Sequence, residues 1–439
     1  MDQEVSRLLL YGRLPEDCIL QRLADVFADW KQGKAEKAEL VRRIYGQVKR
    51  ILDLSTTCGF DKNLWHCYLT YLLTTCENSF SLTCEMNGPH EGSVNHFALA
   101  DFEIFRRLFA FDFGPIERDL GIDVFSVLED YHAIPKKARL YNHNISEKVR
   151  ALSEKIARAK DAQEIFTLVT EHYRTCGVGI FGLNHAFRIK PSGDGVEFIA
   201  INNVDQVMLS DLVGCELQQK ELRGNVEAFL RGSAYNNMLL YGDAGTGKST
   251  SVKALLNEYA AQGLRMIEIY KHQFNLLGDV IAQVKNRGYR FMIFIDDLSF
   301  EENEVEYKFL KAVIEGGIET RPDNVMICAT SNRRHLIKET WTDRNDMEFK
   351  NDVHRSDTME EKLSLAARFG CAINFNAPDR RQYHDIVKAL AARAGDFGLT
   401  EEQLLLQANT WELRHGGLSG RTAQQFINHL SGTASGRRE

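Results

Sequence analysis

Apolar residues recur at helical spacing early in the chain: Ile19, Leu23, Val26, Phe27 and Trp30, then Leu40, Ile44, Val48 and Leu52, with charges between them. That period predicts two amphipathic helices between Pro15 and about Leu54. Leu64 to Leu73 is a further apolar segment, and the polar stretch Asn87 to Val94, with Gly88, Pro89 and Gly92, predicts a loop. Phe97, Phe102, Phe105, Phe109, Phe111 and Phe113 follow; such a stripe reads first as buried core and second as a partner-binding face. After Phe187-Arg188-Ile189, Val196 to Ile201 reads as a short strand. Beyond about residue 206 the pattern changes: Met238 to Tyr241, Phe291 to Ile295 and Val325 to Thr330 are largely continuous apolar runs, and Arg265 to Ile269 and Ala372 to Phe375 also read as strands. Runs of this kind suit parallel strands buried on both faces. A helical stretch, Leu217 to Leu230, precedes the first of them, and Ser251 to Ala260 and Phe274 to Val284 lie between later ones, so this half is α/β. After Pro378 the chain reads as helical again, through Tyr383 to Ala394, Glu401 to Ala408 and a last helix beginning near Gly416.

Composition narrows the class. The 439 residues exceed one compact core, and 44% hydrophobic with 26% charged residues is ordinary for a globular protein. A net charge of −7 does not indicate a protein that coats nucleic acid. The locally basic stretch Lys136, Lys137, Arg139, Lys148, Arg150, Lys155, Arg158 and Lys160 is interleaved with Glu147, Glu154 and Asp161. It reads as a solvated helical face, with a nucleic-acid contact as the other reading. No apolar run reaches the ~18 residues of a membrane span, and Met1 to Leu10 lacks the pattern of a leader, so a cytoplasmic protein is expected. Among the nine cysteines, Cys58, Cys67, Cys76 and Cys84 are spaced too widely for a zinc site and read as reduced, mostly buried thiols.

The strongest chemical signal is Gly242-Asp243-Ala244-Gly245-Thr246-Gly247-Lys248-Ser249, followed by Thr250, between an apolar strand and a helix. Glycines let successive N–H groups curl toward phosphate, and the helix start adds a favourable dipole. Lys248 would reach the β- and γ-phosphates, and the Ser249 hydroxyl would meet Mg²⁺. Forty-eight residues after Lys248, Asp296 begins the pair Asp296-Asp297 at the end of the run Phe291 to Ile295, where open α/β sheets place their ligands. Asp296 is expected in the Mg²⁺ shell, and Asp297 is expected to orient or deprotonate an attacking water. Cys176-Gly177-Val178-Gly179-Ile180-Phe181-Gly182 is only superficially like a dinucleotide fingerprint, because it lacks the strand and helix context.

With Asp211-Leu212-Val213-Gly214-Cys215-Glu216 added upstream, the chain resembles the AAA+ superfamily. The resemblance implies a parallel five-stranded sheet flanked by helices and a C-terminal helical lid; with the region before them read as a mainly helical N-terminal domain expected to bind a partner or substrate, the divisions fall at 1–205, 206–376 and 377–439. It implies that Val213 and Gly214 lie against adenine. It implies that Asn332, in Ser331-Asn332-Arg333-Arg334-His335-Leu336, contacts the γ-phosphate and attacking water, which suits an amide that both donates and accepts. Arg368, in Leu363-Ser364-Leu365-Ala366-Ala367-Arg368, is its candidate finger into a neighbouring subunit, with Arg344 and Arg355 as rivals. Arg421, at the start of the last helix, fits the lid arginine. Many AAA+ ATPases carry Asp-Glu where this chain has Asp296-Asp297; Glu301 and Glu302 follow closely and are alternative bases. Phe294-Ile295-Asp296-Asp297-Leu298-Ser299-Phe300-Glu301-Glu302 and Ala329 to Leu336 further resemble the bacterial domain-of-unknown-function family 815, described as predicted ATPases.

The expected function is therefore an ATP-binding protein, using ATP and Mg²⁺ and releasing ADP. It would act as a homo-oligomer that hydrolyses ATP at subunit interfaces to remodel an unidentified protein partner. The alternative is a slow-turnover ATP-dependent switch, similar to a helicase loader. A small-molecule kinase would not be expected to carry Asn332 and Arg421, and no aromatic–hydrophobic–glycine pore loop of an unfoldase lies between Tyr270 and Val280.

Overall fold

The computed structural model describes residues 1–12, 17–134, 143–193, 195–300, 304, 306–315, 322–333, 336 and 365–435. Pro15, Lys136, Lys137, Arg139, Glu301, Glu302, Arg334, His335, Arg344, Arg355, Leu363 and Ser364 lie outside the described residues. The chain forms two compact units, one of residues 1–185 with 200–203, the other of residues 186–199 with 204 onward.

The first unit is helical. Its longer helices are Ile19–Gln32, Lys37–Cys58, Leu64–Thr75, Ser79–Asn87, Val94–Phe109, His143–Ile156 and Ala162–Thr175. Gly33 and Gly59 end the first two in left-handed conformation, which costs a residue without Cβ nothing. The phenylalanine stripe is core: Phe102, Phe105, Phe109 and Phe113 are buried, and only Phe97 is exposed. Phe113 stacks on Phe125 at 4.2 Å and meets Trp65 edge-on at 5.3 Å. Asp101, buried within that stripe, accepts the backbone N–H groups of Leu9, Leu10 and Tyr11 at 2.8–3.2 Å, so its charge is compensated by three oriented dipoles. The glycine-rich stretch at 176–182 forms a short helix, Gly179–Leu183. Carboxylates stand where a phosphate would need to be: Glu85 accepts the Val178 N–H at 2.9 Å, and a Cβ on Gly179 would lie 1.9 Å from Glu77 Oε1. None of the nine cysteines is joined in a disulfide, and six are buried.

The second unit is built on a sheet of seven strands, two more than the five expected: β1 (Ala186–Ser192), β2 (Gly195–Ala200), β3 (Met238–Gly242), β4 (Leu264–Glu268), β5 (Arg290–Ile295), β6 (Val325–Ser331) and β7 (Cys371–Phe375). Their order is β2-β1-β4-β5-β6-β3-β7. The five expected strands form its continuous parallel core, β4-β5-β6-β3-β7, and β1 extends it in parallel beside β4. The addition follows from sequence: β1 and β2 alternate buried and exposed positions, the pattern of a sheet margin, whereas β6 is buried throughout. Across the margin Arg188 Nε pairs with Glu268 Oε2 at 2.7 Å.

Because β3, β5 and β6 run parallel, the loops after them open at one end of the sheet, where an open α/β fold leaves a crevice. The helices Arg380–Ala394, Glu401–His415 and Gly420–Ser435 pack around their own core of Tyr383, Val387, Ala408, Phe426 and Ile427. Capping boxes at Asp379 with Gln382 and at Thr400 with Gln403 start the first two.

Candidate nucleotide site

The loop between β3 and the helix Lys248–Tyr259 is held at both ends. Gly242, at φ 132°, sits so close to β7 that a Cβ would lie 2.1 Å from the Phe375 carbonyl oxygen. The next N–H, of Asp243, donates to that same oxygen at 3.0 Å. Gly247, at φ 95°, turns the chain into the helix, a conformation that a side chain would oppose. Lys248 is buried, and its ammonium donates to Gly242 O at 2.9 Å, Asp243 O at 2.6 Å and Asn332 Oδ1 at 3.0 Å. Burial lowers its proton affinity, while Asp243, Asp297 and Asp296 act in the opposite direction. An ammonium satisfied by neutral acceptors can exchange them for an anionic phosphate oxygen.

The acidic pair faces this lysine across the crevice. Asp296 Oδ1 accepts from Ser249 Oγ at 2.6 Å and from Thr330 Oγ1 at 2.5 Å. Asp297 has a left-handed backbone, φ 51°, its N–H donates to Thr330 Oγ1 at 2.9 Å, and its Oδ1 accepts from Asn332 Nδ2 at 2.8 Å. Asn332 therefore links Lys248 to Asp297 through the two ends of one amide. The residues present suit Mg²⁺: a hydroxyl and a carboxylate lie side by side, and Mg²⁺ keeps waters and takes ligand phosphates rather than a protein cage. Among the described residues no group of three or more His, Cys, Asp or Glu side chains is arranged to hold a metal ion.

These groups open into a cavity of about 1420 Å³, lined by Val213, Gly214, residues 244–250, Asp296, Asp297, Asn332 and Arg421. One wall is clamped from two sides. Gln219 donates to Leu212 O at 2.9 Å, and from the lid Arg393 donates to Asp211 O at 2.9 Å and pairs with its carboxylate at 3.2 Å. Leu212, Val213, Ile386 and Leu390 make this end apolar, as the face of a purine base requires. The lid also touches the loop: Arg421 N–H donates to Gly245 O at 3.3 Å, and a Cβ on Gly245 would lie 3.1 Å from Arg421 Cβ.

Three expected residues stand apart from the cavity wall. Gly242 and Asp243 contribute carbonyls to Lys248 from behind it, and the Asp243 carboxylate instead accepts the Ala377 N–H at 2.8 Å, tying the loop to the entry of the lid. Arg368 pairs with Glu315 of the same chain and does not line the cavity. Two contributors went unread in the sequence. Thr330 sits at the end of a strand run and gave no signal beyond being polar there, and Arg393 is one charge on an amphipathic helix.

Strand order, loop, acidic pair and helical lid together define an AAA+ P-loop fold. The chain belongs to the family described as proteins of unknown function (DUF815), which matches residues 183–434. Among solved structures the AAA domain of FIGL-1, crystallised in complex with ADP, is similar, with 18% identity over 51% of this chain and 73% of that chain and a TM-score of 0.36. No curated protein matches the chain. Among the described residues no helix is long and apolar enough to cross a membrane.

Proposed function

We propose that this protein binds ATP with Mg²⁺ and hydrolyses its terminal phosphoanhydride, acting as a homo-oligomer that uses turnover to remodel an unidentified protein partner. The observation that carries this reading is the single hydrogen-bonded network of Lys248, Asn332, Asp297, Thr330, Asp296 and Ser249 around one cavity. Val213 and Gly214 border the base, the N–H groups of residues 244–250 receive the phosphates, and Lys248 exchanges its carbonyl partners for β- and γ-oxygens. Ser249 and Asp296 would hold the cation, which would supply charge neutralisation for the phosphates. Asp297 accepts a proton from the attacking water as its oxygen bonds to the γ-phosphorus, and the bond to the β-bridging oxygen breaks, leaving ADP and inorganic phosphate. Asn332 orients that water, and Arg421 closes on the phosphates from the lid. Arg368 is assigned to a neighbouring subunit's γ-phosphate, released from Glu315 on assembly.

One observation favours the second reading, a slow switch in which ATP occupancy matters more than turnover. The base is an aspartate, one methylene shorter than glutamate, and its Oδ1 is engaged by Asn332. The test is ATP turnover per chain against protein concentration, with Mg²⁺, beside ATP affinity. Turnover that climbs and saturates supports an interface site. Flat, very slow turnover with tight binding supports the switch. Undiminished ATP affinity in Lys248→Ala would refute both.

A further inference from the structure

Thr330 is nearly inaccessible, at 1% exposure, yet it touches both acids of the site. Its single hydroxyl proton goes to Asp296 Oδ1 at 2.5 Å, and a lone pair of the same oxygen accepts the Asp297 N–H at 2.9 Å. The backbone repeats the clamp: Leu298 N–H donates to Thr330 O at 2.7 Å, and Ser331 Oγ donates to Leu298 O at 2.7 Å. The segment 296–298 is thus strapped to the end of β6, and the strap spans the residue whose backbone is left-handed, Asp297 at φ 51°. Such a conformation persists where surrounding contacts over-determine it. Both hydroxyls at Asp296 use Oδ1, and no donor to Oδ2 is found among the described residues.

We propose that Thr330 is a positioning residue that fixes both carboxylates at once, turning Asp296 Oδ2 toward the hydration shell of the cation and aiming Asp297 at the water. This rests on the reading of the cavity as an Mg²⁺–ATP site. With Ser249 Oγ engaged by a cation, Asp296 would still have one hydroxyl donor, Thr330, to set its carboxylate plane. The role follows from β5 and β6 being neighbours, with Ile295 opposite Ala329.

The experiment is a Mg²⁺ titration of ATP affinity and of turnover in wild type, Thr330→Val and Thr330→Ser, with ATP affinity in EDTA measured alongside. Valine keeps the branched shape without the hydroxyl, and serine keeps the hydroxyl. Losing a hydrogen bond to a charged carboxylate should raise half-saturating Mg²⁺ in Thr330→Val by about tenfold, with ATP affinity in EDTA within about twofold of wild type and Thr330→Ser close to wild type. Wild-type Mg²⁺ dependence in Thr330→Val overturns the proposal while leaving the ATPase reading intact. Equal loss of ATP affinity with and without Mg²⁺ in both variants also overturns it, since that marks a general packing role. Wild-type protein whose ATP affinity ignores Mg²⁺ overturns the reading of the site and the proposal with it.

Discussion

His172, in the helix Ala162–Thr175, is buried, and its Nε2 has no hydrogen-bond partner among the described residues. Burial first, then the charges of Lys148 and Lys155, lowers its pKa from 6.5 to about 4. The unfolded chain therefore binds a proton that the folded chain refuses between those two values. The stability that His172 permits is fully present above pH 6.5 and is lost progressively as pH falls toward 4. A full separation of 2.5 units between 6.5 and 4 corresponds to roughly 3.4 kcal/mol, of which about 2 kcal/mol is lost between pH 7 and pH 5. Replacement by leucine removes both the titration and the unpaired nitrogen. We expect His172→Leu to be about as stable as wild type or up to ~2 kcal/mol more stable at pH 7, because no polar group is left buried without a partner. At pH 5 its advantage should grow by about a further 2 kcal/mol. The assay is urea unfolding at both pH values, followed through buried Trp65 of the same helical unit. Comparing the pH dependence of the two proteins cancels every other titrating group. Equal loss of stability in both on acidification would refute the reasoning.

Other perturbations test the proposed site. Asp297→Asn should lower turnover by about 10²–10⁴-fold with ATP affinity within about threefold, measured by phosphate release and calorimetry; unchanged turnover would move the base to Glu301 or Glu302. Gly242→Ala places a methyl 2.1 Å from a backbone oxygen that cannot swing aside, so ATP affinity should fall about tenfold or more, against wild-type affinity if the contact is harmless. Inactive Arg368→Ala should regain turnover when mixed with Lys248→Ala, since each supplies what the other lacks at a shared interface. No recovery at any mixing ratio would confine Arg368 to its pairing with Glu315.

Much of this architecture was readable along the chain because it rests on short-range periodicity. The expected strands became β3 to β7 within a residue or two, and the helical spacing of Ile19 to Trp30 and Leu40 to Leu52 became the helices Ile19–Gln32 and Lys37–Cys58. The phosphate loop was legible for a similar reason, since its glycines, lysine and hydroxyl act within eight consecutive residues. Asp296 was legible from its place at the end of a buried strand, whereas Asn332 and Arg421 came from resemblance; that all three border one cavity depends on contacts far apart in sequence. Strand order belongs to the tertiary structure: which runs lie side by side is settled by burial of whole faces, and no local pattern specifies it. Placing β5 beside β6 turned Thr330 from one more strand residue into the bridge between Asp296 and Asp297. The same packing drew Asp243 to the entry of the lid and set Arg393 on Asp211. Sequence alone determined the elements and the chemistry that acts over one turn. Only the folded chain decided which distant side chains share a proton, because hydrogen bonds act over about 3 Å and a sequence carries no such distances.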